Sequence, residues 1–187
     1  MLCTILYMLT ILLMEKKDKE IYKGLSDTDA LTGLLNRRAF QAAVDETLLK
    51  RISGIFIFID VDNFKNYNDK YGHANGDLCL KHFAAAMKKC FPKDSILGRY
   101  GGDEFVVYIK NAASDAAHRY MDEFQREISH LMMSGGEHVT VSASAGGVAF
   151  AGEGEDFVSL CRSADNMLYD VKRNGKGTFK MKGAKNM

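Results

Sequence analysis

Charge of one sign is what this chain most plainly lacks: 25 Lys and Arg balance 24 Asp and Glu, leaving a net charge of +1. Without a basic excess there is no electrostatic footprint for a polyanion, so nucleic acid is not expected as a partner and any anionic ligand has to be held locally. Cysteine is sparse. Cys3, Cys79, Cys90 and Cys161 lie far apart in apolar surroundings and form no C-x-x-C pair. That argues against a zinc cluster or a disulfide framework and for free thiols in a reducing compartment. Proline occurs once, at Pro92, and no internal repeat is present.

What the chain does contain is enough apolar surface for a core. Of its 187 residues 47% are apolar and 26% charged, which suits one folded domain with a short appendage and excludes a disordered chain. Residues 1–14 are almost wholly apolar, and Glu15-Lys16-Lys17-Asp18-Lys19-Glu20 breaks the run. Fourteen helical residues extend about 21 Å, short of the roughly 20 residues that cross a bilayer. No basic leader or small-residue cleavage site marks a signal peptide. Two readings remain: the end of a longer membrane helix whose lysines mark the cytoplasmic side, or a dimerising helix with Leu2, Ile5, Leu9 and Leu12 at coiled-coil spacing. The expected organisation is an apolar helix and linker over residues 1–28, a globular domain over 29–181 and a tail over 182–187. The expected location is the cytoplasm, with the cytoplasmic face of the inner membrane as the place if residues 1–14 embed.

Periodicity outlines the domain. A short helix is expected over residues 18–25, a compact turn over 29–36 and an amphipathic helix over 37–50, with Phe40, Val44, Thr47 and Leu48 inward. Ile55-Phe56-Ile57-Phe58-Ile59 is unbroken rather than alternating, the pattern of a central strand covered on both faces. Asp60 and Asp62 stand at its exit. Asp62 or Asn63 is placed to cap a helix over residues 64–70, and Asp77 to cap another over 78–91 that Pro92 ends. A long helix follows over 114–133, then a strand rich in small residues over 139–150. A last helix, capped by Asp156, runs to about Lys172, and a final strand covers 178–181. The cations Lys172, Arg173 and Lys176 suit a helix C-terminus through the macrodipole, and equally suit a phosphate.

Between the two middle helices lies Arg99-Tyr100-Gly101-Gly102-Asp103-Glu104-Phe105, with apolar runs on either side. This reads as a hairpin with Gly101 and Gly102 in a two-residue turn, both free to take positive φ, and two acids at the tip. A carboxylate pair there is either a metal or proton-transfer site or an ordinary solvated turn. One tight hairpin among interleaved strands and helices predicts a mixed sheet, an α+β sandwich of the ferredoxin-like kind with helices on both faces.

Taken together the blocks resemble the GGDEF family of diguanylate cyclases. These are Asp29-x-Leu31-Thr32-Gly33-Leu34-x-Asn36-Arg37-Arg38, Ile59-Asp60-Val61-Asp62-Asn63-Phe64-Lys65 with Asn68, Asp69, Gly72, His73, Gly76 and Asp77, then residues 99–105, and Ala164-Asp165-x-x-Leu168-Tyr169-x-x-Lys172. The resemblance implies a nucleotidyl-cyclase palm-type sheet that condenses two GTP into cyclic di-GMP across a homodimer, using magnesium or manganese. It places Asp60, the Val61 carbonyl, Asp103 and Glu104 on the metal, with Glu104 also helping deprotonate the ribose hydroxyl. It places Asn68 and Asp77 on guanine, and Asn63, Phe64, Lys65, Gly101, Gly102, Lys172 and Lys176 on the rest of the nucleotide. The alternative is a non-catalytic GTP-binding or signalling module. Three departures stand out: Lys176 where the family usually has Arg, Asn63 where it often has an aromatic, and Pro92 and Ser95 where product-inhibited members carry Arg-x-x-Asp. No binding of cyclic di-GMP at that inhibitory position is expected.

Overall fold

The computed structural model describes residues 27–132 and 138–183. The helix expected over 18–25 and the apolar start lie outside these residues. No helix among the described residues is long and apolar enough to cross a membrane.

The sheet is built on β2 (Gly54–Val61), which pairs antiparallel with both β4 (Glu104–Lys110) and β7 (Ala143–Phe150). β3 (Ile96–Arg99) runs antiparallel to β4, while β1 (Leu35–Asn36) joins β3 and β8 (Phe179–Lys182) joins β7 in parallel. The order is β1-β3-β4-β2-β7-β8, the mixed sheet expected. β5 (Leu131–Met132) and β6 (His138–Val139) form a separate two-stranded ribbon.

The unbroken apolar run of β2 is explained by two cores. Ile55, Ile57 and Ile59 face α3 (His73–Cys90) and α4 (Ser114–Ile128), packing with Phe83, Met87, Met121 and Phe124. Phe56 and Phe58 face α1 (Arg37–Leu49) and α5 (Phe157–Arg173), with Phe40, Val44, Leu160, Ala164 and Leu168. Caps set the ends of both latter helices: Asn36 accepts from Ala39 N at 3.0 Å and Asp156 from Ser159 N at 2.8 Å. The small residues of β7 let α5 come close. A Cβ at Gly146 would run into Ala164 O and Leu168 N, so α5 needs glycine there.

Several boundaries differ from the sequence reading. The helix expected over 114–133 stops at Ile128, and Leu131 enters β5. The strand expected over 139–150 divides, with Val139 in the ribbon and Ala143 opening β7. α2 (Phe64–Tyr71) follows Asn63, whose side chain makes no capping bond. α3 begins at His73 after Gly72, five residues earlier than expected, so Asp77 lies inside the helix and caps nothing. Continuous helical hydrogen bonding through Asn75-Gly76-Asp77 outweighs the turn preference of that triplet.

Candidate active site

Asp60 continues the face of Phe56 and Phe58 near the end of β2. On that face α5 presents Leu160, Ala164 and Leu168, and four residues on from Leu168 the stripe reaches Lys172. Its ammonium meets Asp60 Oδ2 at 2.8 Å. Across the antiparallel pair, Glu104 stands in register with Asp60, so the two side chains are same-face neighbours. Val61 N donates to the carbonyl of Asp103 at 3.1 Å, which ties the signature turn to the exit of β2.

Three acids thus gather at one end of the sheet, and the charge of their neighbours bears on Asp60 and Glu104. Burial raises the Asp60 pKa, the Lys172 hydrogen bond and charge oppose it, and Asp103 and Asp62 add to the rise. Burial also raises Glu104, with Asp60 and Asp103 contributing. Lys172, which the resemblance places on the nucleotide, is bonded to Asp60 in this structure. A half-buried carboxylate among other acids draws in the nearest ammonium. No group of three His, Cys, Asp or Glu among the described residues is gathered closely enough to hold a metal. The donor chemistry nonetheless fits magnesium or manganese, since hard carboxylate oxygens with excess negative charge are what these ions take.

The two-residue turn falls one position later than expected. Arg99 is opposite Phe105, Tyr100 N donates to Glu104 O at 2.8 Å, and Glu104 N to Gly101 O at 3.3 Å. Gly102 and Asp103 are therefore its centre, and neither Gly101 nor Gly102 takes positive φ. Gly101 serves space instead, because a Cβ there would sit 2.8 Å from Glu104 Oε2.

A clamp that periodicity gave no sign of holds this turn. The Arg99 guanidinium donates to Gly102 O at 2.7 and 3.1 Å and to the Asp29 carboxylate at 3.1 and 3.2 Å. Asp29 also accepts from Thr32 N and Oγ1. Burial would raise the Asp29 pKa, but Thr32 and Arg99 outweigh it and keep the carboxyl below its usual range. Asp29 was legible only as a turn residue. The sequence separation of 70 to Arg99 hid its second role.

On the far side of Asp60, Lys176 donates to Asn63 Oδ1 at 2.8 Å at the start of α2. The start of α2, at Phe64 and Lys65, directs helix N–H groups toward the same corner. Asp62, expected as a cap, is instead buried and bonded to Ser142, Ser144 and Gly177. Asn68 lies in α2 against α3: a Cβ at Gly76 would overlap its amide oxygen, which is buried and without a hydrogen-bond partner. Asp77 is exposed one residue further along α3.

Residues 26–178 match the family model described as diguanylate cyclase, GGDEF domain. The chain is 33% identical over 168 residues to the cyclic di-GMP phosphodiesterase PdeR of Escherichia coli, covering 88% of this chain and 25% of that protein. It is 34% identical over 164 residues to a diguanylate cyclase of Vibrio cholerae, covering 84% of this chain and 50% of that one. It thus spans a quarter to a half of the length of these relatives. Among solved structures, the GGDEF domain of DgcB from Caulobacter crescentus in complex with c-di-GMP superposes with a TM-score of 0.77 at 28% identity, covering 83% of this chain and 95% of that one. With a family model matching most of its length and acids of the signature at one sheet end, the chain belongs to the diguanylate cyclase GGDEF-domain family.

Proposed function

We propose that this domain is an active diguanylate cyclase. The observation that carries the reading is the undamaged acidic group, Asp60 in register with Glu104 and tied through Val61 to Asp103, beside the cations Lys172 and Lys176. In each half-reaction a ribose 3′-oxygen forms a bond to the α-phosphorus of the other GTP. The bond from that phosphorus to the β-phosphate bridging oxygen breaks, and pyrophosphate leaves. Glu104 takes the 3′-hydroxyl proton; burial, with Asp60 and Asp103 beside it, raises its pKa above the ordinary glutamate value, which favours proton uptake. Asp77 accepts from guanine N1–H and N2–H together, a pairing that adenine does not offer, and Asn68 supports it. The backbone of Asn63, Phe64 and Lys65, with Lys172 and Lys176, takes the terminal phosphates, and Gly101 and Gly102 allow close approach of the nucleotide. Magnesium or manganese, held by Asp60, the Val61 carbonyl, Asp103 and Glu104, would supply neutralisation of phosphate charge and alignment for in-line attack. One copy has one guanine reader and one acidic group, so two copies have to meet face to face.

Incubation of the purified protein with GTP and magnesium or manganese, followed by chromatography and mass determination, should yield cyclic di-GMP. A demonstrably dimeric sample that makes none overturns the reading. The similarity to PdeR, whose name is that of a phosphodiesterase, favours a regulatory GTP-binding module as the second reading. GTP binding without turnover would select it.

Arg99→Lys should lower kcat about ten- to a hundredfold with an unchanged circular dichroism spectrum, since a single ammonium cannot hold Asp29 and Gly102 O at once and small misplacements at a reacting centre cost that much. Unaltered kcat would show the clamp to be dispensable. Pro92 and Ser95 carry neither a guanidinium nor a carboxylate and are joined only by a turn bond of 3.0 Å from Ser95 N to Pro92 O. Added cyclic di-GMP should therefore produce no non-competitive inhibition. Potent inhibition of that type would contradict the assignment.

A further inference from the structure

The one buried acid among the described residues is one that the reaction does not use. Asp62 is 9% exposed. Its Oδ1 accepts from Ser144 Oγ at 2.6 Å, and its Oδ2 from Ser142 Oγ at 2.7 Å and Gly177 N at 3.0 Å. The next residue, Asn63, accepts the Lys176 ammonium at 2.8 Å. Two consecutive residues leaving β2 therefore grip two consecutive residues of the loop before β8, across the intervening β7.

That loop needs holding. Gly175, Lys176 and Gly177 have φ of 120, 60 and 63°, and Lys176 is one of four non-glycine residues with positive φ among the described ones. Asn63, with φ 56°, is another. A lysine in this conformation is strained and persists where its surroundings over-determine it. Both strained residues meet at the start of α2, where Asn63 spends its side chain on Lys176 instead of capping the helix.

We propose that Asp62 and Asn63 are positioning residues: together they latch the 176–177 loop so that Lys176 presents its ammonium at the N-terminus of α2, preformed for the terminal phosphates of the nucleotide. Asp62 fixes the loop backbone and Asn63 the side chain. The proposal rests on the GTP reading above and deepens it.

Calorimetric titration of inorganic pyrophosphate and of GMP, with magnesium present, tests it. Asn63→Gly removes the side chain while tolerating the left-handed backbone, so the fold is kept. Asp62→Asn retains the shape but offers one acceptor fewer. Each variant should weaken pyrophosphate binding about three- to tenfold, the range of one lost polar bond, and leave GMP affinity unchanged. In a Lys176→Ala background neither change should weaken pyrophosphate binding further. Equal losses for GMP and pyrophosphate, or undiminished losses in that background, would overturn the latch. Asn63→Gly with wild-type pyrophosphate affinity would overturn it too, without reference to Asp62. A wild-type protein that binds GMP but neither GTP nor pyrophosphate would overturn the phosphate assignment. Failure to bind any guanine nucleotide would overturn the GTP reading itself.

Discussion

Asp60→Ala and Asp103→Ala are each expected to reduce cyclic di-GMP formation by at least about a hundredfold, the loss typical of removing one preorganised electrostatic group from a reacting centre. For Asp60 the loss has two parts: an oxygen proposed to ligate the metal goes, and Lys172 loses the partner that holds it at 2.8 Å. Unfolding is not the cause expected. In the fold the Asp60 pKa lies above its ordinary value, so its ionised form is disfavoured there. Such a group lowers stability as pH rises from the ordinary carboxylate pKa through the folded one. Asp60→Asn should therefore melt no lower than wild type at neutral pH while losing activity. Full turnover by either alanine variant, measured with GTP under saturating magnesium, would sink the metal assignment.

Glu104→Gln should leave KM for GTP little changed and lower kcat by about 10²–10⁴, the range ascribed to a positioned proton acceptor. Its pKa is raised by burial and by Asp60 and Asp103. The acid limb of the wild-type pH–rate profile should be carried by Glu104, and the Gln variant should lack it. The same shift makes a prediction for metal-free protein. Because ionised Glu104 is disfavoured in the fold, the Gln variant should have the higher melting temperature at neutral pH. The gap should close on acidification, as wild-type Glu104 takes up its proton. An enzyme at wild-type rate with an unmoved acid limb would refute the role of Glu104.

Local pattern carried much of this protein. The β-branched and aromatic run of β2, the cap Asp156 and the inward face of α1 follow from residues within a few positions of each other. So do the hairpin and the position of Asp103 at its tip, whereas the turn fell one residue later than the Gly101-Gly102 pair and Glu104 entered β4. What short windows misread were places where a turn-forming triplet was overridden by continuing helix, as at Asp77, or where an apolar stretch changed element, as at Leu131 and Val139.

The sequence by itself determined that two apolar faces had to be covered, that acids would stand at the exit of β2 and in the signature turn, and that cations would gather at the C-terminal end of α5. Which charges met was decided only by the tertiary structure. Lys172 reaches Asp60 because α5 lies along the Phe56 and Phe58 face, and Glu104 faces Asp60 because β4 pairs with β2 in one register. Asp62 finds Ser142 and Gly177, 80 and 115 residues away, because β7 lies between β2 and β8. Strand order and register bring such groups within the few ångströms where hydrogen bonds and charges act, and no local period of the chain encodes that proximity.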